Sequence, residues 1–260
     1  MRELATAVHN DQVFRLIRHG AVDSTNERAF AALASGDARH FDAHLALAQH
    51  AGRGRLGRTW HSPPGEGLYL SIVLLPPAPG WSAPALAMAA GLAVRDFALA
   101  SGVADARLKW PNDVLVRGAK LAGLLVEARA FDPTAPQYVL GIGVNLKQTR
   151  FDPALAAERA VTSLALESRA REPEEAADEL LPLVARRLAQ AARAPASLYD
   201  DYVGAAGWRG ERIEVESAAR IVRGRLCGIG ARGIRVLADD AGVEAVSIAL
   251  EHVGAVRLVR

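Results

Sequence analysis

Apolar residues recur along this chain at two spacings, and the texture changes once, after Tyr202. Before that point helical and strand patterns alternate; after it, period-two alternation dominates. Ser24 stands ahead of a helical run over 25–34, with Glu27 three residues on, a capping-box pattern, and Gly36 placed to stop it. Residues 44–48 predict a short strand, and 68–75 a clear one ended by Pro76-Pro77. Residues 83–101 are Ala-rich with apolar positions at helical spacing, closed by Gly102. Strands are predicted over 107–110, 114–117, 121–129 and 137–144. Glu172-Pro173-Glu174-Glu175 opens a further helix, with Arg186, Arg187 and Arg193 toward its end, so both charge groups suit the helix dipole. Residues 1–20 read as a short amphipathic lead-in, too few for a helix-turn-helix module.

From Trp208 onward Ile213, Val215, Val222, Leu226, Ile234, Val236, Ile248, Val253 and Val256 are separated by Gly and Asp-Asp turns. Five or so short strands, a small barrel, are predicted there, with Gly204 and Gly207 at the joint. The expected division is an α/β unit over 1–205 and a barrel over 206–260.

Composition bounds what such a chain does. With 260 residues, half of them apolar, it can bury a sizeable core. The balance of 31 basic and 29 acidic residues gives no global case for a nucleic-acid or membrane-surface partner. One cysteine, Cys227, excludes an internal disulfide and a Cys-based zinc cluster. Charges at Arg2, Glu3, Asp11, Arg15 and Arg18 interrupt every early apolar run, and no stretch reaches the roughly 20 residues that cross a bilayer. A soluble cytoplasmic protein is expected. The histidines show no HxH, HxxxH or HExxH spacing on a common face, so none is read as a metal ligand. Only Lys109, Lys120 and Lys147 among the 31 basic residues are lysines. Where arginine serves nearly everywhere, a retained lysine marks either chance or a place where a planar fork will not do.

Four motifs carry chemistry. Gly52-Arg53-Gly54-Arg55-Leu56-Gly57-Arg58 joins backbone freedom to three fixed cationic forks, which suits a polyanion such as a nucleoside triphosphate. It is neither a P-loop nor a dinucleotide fingerprint, and a flexible basic loop is the plain alternative. In Lys109-Trp110-Pro111-Asn112-Asp113 the proline enforces a turn between strands. Asn112 and Asp113 either close that turn with their own side chains or face a ligand, Asp113 then lying near Mg²⁺. Lys120 enters an apolar strand, Lys120-Leu121-Ala122-Gly123, either snorkelling at its edge or meeting an anion. Gly141-Ile142-Gly143-Val144-Asn145 clears one strand face, for close packing or for a flat group.

In this order the motifs resemble biotin protein ligases. The match adds Val22-Asp23-Ser24-Thr25-Asn26, Gln49 ahead of the loop, Trp60-His61-Ser62-Pro63 and Leu68-Tyr69-Leu70-Ser71, densely over about 20–150 and loosely in the tail. The resemblance implies a mixed-sheet α/β (α+β) catalytic domain related to class II tRNA synthetases, followed by an SH3-like barrel. It implies an ATP-dependent activation of biotin as biotinyl-adenylate, then transfer to a lysine of a biotin carboxyl carrier protein, with ATP and Mg²⁺ required. Ser24, Thr25, Asn26 and Gln49 would hold biotin, with Arg53, Gly54, Arg55 and Lys120. Arg53, Arg55, Arg58, Asn112, Asp113 and Asn145 would serve the nucleotide, Asp113 the metal. Lys120 and Arg53 would act at the bond being made.

Three departures follow. The N-terminal DNA-binding domain of some members is not seen, so a ligase without repressor function or DNA contact is expected. His50 and Glu66 stand where more neutral residues are usual. The tail Gly254-Ala255-Val256-Arg257-Leu258 lacks an acid after its glycine, so no C-terminal ligand contact is carried over. A homodimer is left open. The competing readings are a lipoate-type ligase and a nucleic-acid module using the arginine loop with Arg220, Arg223, Arg225, Arg232 and Arg235.

Overall fold

The structure is a computed structural model. It describes all residues except 1–2, 10–11, 76–77, 79, 130–135, 240–244 and 260, with backbone alone over 3–9 and 12–13. The Pro76-Pro77 strand stop falls outside the described residues.

The described residues of the lead-in expected over 1–20 lie in strands instead. They form β1 (Glu3–His9) and β2 (Gln12–Val22), an antiparallel pair, and β2 runs parallel to β3 (Asp42–Gln49). The edge of the sheet is therefore built from the segment that looked least structured. Between β2 and β3 lies α1 (Thr25–Ser35), opened by Ser24, whose hydroxyl accepts from the Glu27 N–H, and closed by Gly36 at φ 78°. Half of the capping box forms. The Glu27 carboxylate reaches elsewhere, and the Ser24 N–H donates instead to Asp23 Oδ1 at 2.6 Å.

The sheet continues with β4 (Gly67–Leu74). After α2 (Ala83–Ala100) come β5 (Ala106–Lys109), β6 (Asp113–Val116), β7 (Ala119–Arg129) and β8 (Gln137–Asn145). Among the described residues these make one eight-stranded mixed sheet in the order β1-β2-β3-β4-β8-β7-β6-β5. Every residue of β4 is buried. Helix α2 is long and apolar enough to cross a membrane by length and composition, but Leu86, Met88, Leu92 and Phe97 are buried in the core against the sheet and a second long helix.

That helix, α5 (Pro173–Arg193), follows two short ones, α3 (Pro153–Glu158) and α4 (Leu164–Glu167), and precedes α6 (Pro195–Ala205). It packs on α2 and buries Leu180, Leu181, Val184 and Leu188. Arg186 and Arg187 do not simply sit at the dipole: both reach Asp96 of α2, at 2.8 and 2.7 Å.

The tail forms β9 (Arg212–Ser217), β10 (Ile221–Gly230), β11 (Gly233–Ala238), β12 (Ala245–Ile248) and β13 (Val253–Leu258), an antiparallel sheet in the order β12-β11-β10-β9-β13. Ile213, Val215, Ile234 and Val236 fill its inner face. Its outer arginines are partly matched: Arg223 and Arg257 pair with Glu214, and Arg257 also with Glu216. This sheet is tied to the large one at the Lys109-to-Asp113 turn. The buried Trp110 indole N–H donates to Val253 O at 3.1 Å, and its ring stands edge-on to Tyr202.

Candidate active site

A cavity of about 430 Å³ opens where α1, the loop after β3, the β5–β6 turn, β7, β8 and the start of β13 converge. Ser24, Thr25, Asn26, Gln49, Arg53, Gly54, Arg55, Arg58, Asn112, Asp113 and Lys120 all line it. Asn145 does not. It borders a small adjoining cavity of about 30 Å³ with Gln148, Phe151 and Arg159. Trp60, Lys120 and Arg159 lie between the two.

The floor of the main cavity is a closed set of hydrogen bonds. Gln49 Oε1 accepts from the Thr25 N–H at 2.8 Å and lies 3.1 Å from its hydroxyl. Gln49 Nε2 donates to Ser62 Oγ at 2.9 Å. The Ser71 hydroxyl, fully buried on β4, sits 2.7 Å from Thr25 Oγ1 and 2.5 Å from Asn26 Oδ1. Asn26 Nδ2 donates to Glu127 Oε2 at 2.6 Å. Buried polar atoms so satisfied hold fixed positions, which suits recognition of a polar ring edge. The cleared face of β8 serves this packing: a Cβ at Gly141 would stand 2.6 Å from Asn26 Oδ1. At Gly143 it would stand 2.5 Å from the Trp60 ring. The flat group that the glycines admit is the chain's own indole.

One side of the cavity is cationic. Lys120 Nζ lies 2.6 Å from Asp113 Oδ1 and 5.4 Å from the centre of the Trp60 ring, its side chain only 12% exposed. Burial lowers the pKa of the ammonium; Asp113 works against that, and Arg159 and Lys109 add to it. This lysine is not a snorkelling edge residue. Its backbone is pinned, its N–H donating to Ala160 O and its carbonyl accepting from the Thr162 N–H, both at 2.9 Å. Asn145 Nδ2 donates to Thr162 O at 2.9 Å and lies 3.4 Å from Lys120 O, so Asn145 fastens the segment opposite Lys120. Asn112 acts likewise as a turn residue, its Nδ2 donating to Leu124 O at 2.7 Å.

The loop above the cavity folds back on itself. The Gly54 N–H donates to Arg58 O at 2.7 Å and the Trp60 N–H to Gly52 O at 2.9 Å. A Cβ at Gly52 would stand 2.5 Å from Trp60 O, so only glycine fits that crossing. At the tip Leu56 takes φ 57° and is 89% exposed. Arg53 turns its guanidinium to the rim, Nη1 2.5 Å from Glu27 Oε1 and Nη2 3.0 Å from Glu127 Oε2. Arg55 and Arg58 line the cavity without an ion pair among the described residues.

Several participants were not visible as such in the chain. Ser71, Ser62 and Trp60 lie in motifs that the resemblance used, without a role attached. Glu27 was read as a cap, and Glu127 fell within the strand predicted over 121–129 with no role attached. Gly254, Ala255, Val256 and Arg257 line the cavity, so the C-terminal sheet reaches the site, from which the sequence carried over no ligand contact.

The biotin/lipoate A/B protein ligase family model matches residues 20–145. The chain is 36% identical over 236 residues to the biotin–[acetyl-CoA-carboxylase] ligase of Mycobacterium tuberculosis, covering 84% of each protein. It is 36% identical over 137 residues to the bifunctional ligase/repressor of Bacillus spizizenii, spanning 42% of that longer protein and 53% of itself. Its fold matches the Aquifex aeolicus biotin protein ligase in complex with biotin and ATP at a TM-score of 0.75 and 26% identity, over 94% of this chain and 99% of that one.

Proposed function

This chain belongs to the biotin/lipoate A/B protein ligase family, and from that premise we propose that it is an ATP-dependent biotin–[acetyl-CoA-carboxylase] ligase working in the cytoplasm. One observation carries the reading: a single cavity brings together a lysine whose side chain is 12% exposed, a closed hydrogen-bonding floor, and two arginines, Arg55 and Arg58, that make no ion pair among the described residues.

In the first step a biotin carboxylate oxygen attacks the α-phosphorus of ATP. The bond from that phosphorus to the bridging oxygen breaks, and pyrophosphate leaves. Two anions must approach, so the site must offset charge where it develops. Lys120 is placed to do this from the low-dielectric side, with Arg55 and Arg58 on the phosphates. Thr25, Asn26 and Gln49, backed by Ser71, would orient the biotin ring. Ser24 closes the helix start beside them. Arg53 and Gly54 would keep the loop over the mixed anhydride and exclude water. The nucleotide would extend toward Asn145 and Phe151, across Trp60. In the second step the neutral amine of a carrier lysine attacks the acyl carbon. The carbon–oxygen bond to AMP breaks, and the nitrogen sheds a proton. The acceptor is the biotin carboxyl carrier protein of a carboxylase.

Among the described residues no three His, Cys, Asp or Glu side chains cluster as a metal cage. Among the described residues Asp113 is the only carboxylate lining the cavity, and it faces Lys120. This donor set fits Mg²⁺ arriving on ATP, with most of its ligands from phosphate and water and Asp113 as one carboxylate within reach. There the ion would offset phosphate charge. We place the unit boundary near 206, with the second unit contributing the cavity wall at Gly254–Arg257. The lipoate reading is not favoured by the relatives. The matched outer arginines of β10 and β13 weigh against a nucleic-acid module.

The test is incubation with biotin, Mg-ATP and a carrier domain, followed by intact mass. The carrier should gain one biotinyl group, dependent on both small molecules. A carrier unchanged by folded protein would refute the assignment.

A further inference from the structure

The two carboxylates that hold Arg53 belong to neither the floor nor the cationic side. Neither Glu27 nor Glu127 lines the cavity. They approach from opposite elements, Glu27 from the first turn of α1 and Glu127 from the far half of β7. Between them they occupy both terminal nitrogens of one guanidinium, at 2.5 and 3.0 Å. Arg129 takes the same oxygen of Glu27 at 2.7 Å while its guanidinium carbon lies 3.9 Å from the centre of the Phe30 ring, so Glu27 is held from behind. Glu127 is held by Asn26 at 2.6 Å, and Asn26 is part of the floor.

The arginine so gripped sits between Gly52 and Gly54, at the start of the loop that covers the cavity. A glycine-flanked loop with an exposed tip has little apolar packing to keep it closed. An arginine bridging two fixed carboxylates supplies what packing does not, because its rigid fork meets two acceptors at once. The side chains are 28–38% exposed, so each arm is individually modest and salt-sensitive. Such a latch can open and reclose during turnover.

We propose that Glu27 and Glu127 are positioning residues that latch the Gly52-to-Arg58 loop through Arg53, and that this latch sets how long the activated intermediate stays in the cavity. The second half rests on the ligase reading; the first does not. Asn26 joins the latch to the floor, so an occupant that draws on Asn26 also bears on Glu127 and the loop.

The test uses the full chain with Glu27→Gln and Glu127→Gln. Glu27→Gln is the cleaner variant, since among the described residues the Glu27 carboxylate meets only Arg53 and Arg129. The first readout needs no substrate: limited trypsin cleavage after Arg53, Arg55 and Arg58, followed by mass. Each variant should be cut about three- to tenfold faster than wild type, the span expected when one charge-assisted arm is lost, with Tm unchanged. Added salt should speed cleavage of wild type more than of the variants. Arg53→Lys, which keeps the charge and loses the fork, should fall between. The second readout is the dissociation rate of biotinyl-adenylate, which should rise by a similar factor. Cleavage within about twofold of wild type in both variants, below the effect of even one modest arm, overturns the latch. Faster cleavage with an unchanged dissociation rate overturns its role in retention. If wild type makes no adenylate while cleavage responds as expected, the ligase reading fails and the retention claim with it, and the latch stands.

Discussion

At the floor of the cavity Ser71 is fully buried and lies within 2.7 Å of both Thr25 and Asn26. At the roof Leu56 is 89% exposed, and the loop is held by ion pairs at its root. The floor is fixed by donors and acceptors bonded to one another, with Ser71 fully buried beneath them, so breaking one leaves an unsatisfied group. The roof is fixed by charges in partial contact with solvent, so breaking one costs little and opens the loop. One part is built to recognise and the other to move. Lys120 shares a property with each: its side chain is only 12% exposed, and it is charged like the roof.

The largest effect is expected at this lysine. Lys120→Arg should lower single-turnover adenylate formation on the order of 100- to 1,000-fold, the usual loss when a group aligned with developing charge is removed. A wide fork cannot replace an ammonium seated 2.6 Å from Asp113 beneath Trp60. A variant within about threefold of wild type would make Lys120 an ordinary cation.

The strand that carries Gln49 also carries His44, which is buried against His19, the facing ring nitrogens 3.0 Å apart. Burial, with His19 adding to it, pushes His44 from 6.5 down to about 4. The unfolded chain then binds a proton that the folded one refuses. Stability should fall as pH drops from 6.5 toward 4, by on the order of 2–3 kcal/mol, and level off below. Urea melts across that range should show the slope, and His44→Gln should flatten it.

Ser71→Ala should cost about 1–3 kcal/mol of stability by stranding buried acceptors, and it should weaken biotin binding in calorimetry. Arg55→Ala should instead leave stability within about 0.5 kcal/mol while raising the KM for ATP. If both variants behaved alike in both assays, the contrast between floor and roof would be lost. The smallest effect is acid opening of the roof. Burial raises the Glu27 carboxyl, but hydrogen bonds from Arg53 and Arg129 outweigh it and hold the pKa below 4.5. The contribution is complete above 4.5 and fades as pH falls through the lowered value. Hydrogen exchange of the 52–59 amides should therefore rise relative to a base-corrected reference only in that acid range.

The parts of this molecule that follow from local rules were legible in the chain. The Ser24 cap, the Gly36 stop, strand β4 and the switch to short strands after Trp208 each depend on neighbours in sequence. The glycine–arginine loop and Lys120 were legible as candidate chemistry because glycine and a lone lysine are costly elsewhere. What escaped depends on distance. Arg53 meets Glu27 and Glu127, 26 and 74 residues away, and no spacing rule marks such a pair. Asn112 and Asn145 were expected at the nucleotide, and the structural bond that each amide also makes to a backbone carbonyl of another segment follows from no local spacing. Residues 1–20 read as a lead-in because their pattern is only half apolar, as suits strands near a sheet edge, where β2 lies. Helix α6 carried no warning beyond Pro195 at its start.

The measurement that bears most directly on the central claim is biotin-dependent exchange of labelled pyrophosphate into ATP, with no acceptor present. It reports the first step alone, in the cavity described. Exchange should appear with biotin, require Mg²⁺, and be absent with lipoate. Folded protein that shows no exchange above background, or that exchanges with lipoate and not biotin, would contradict the account.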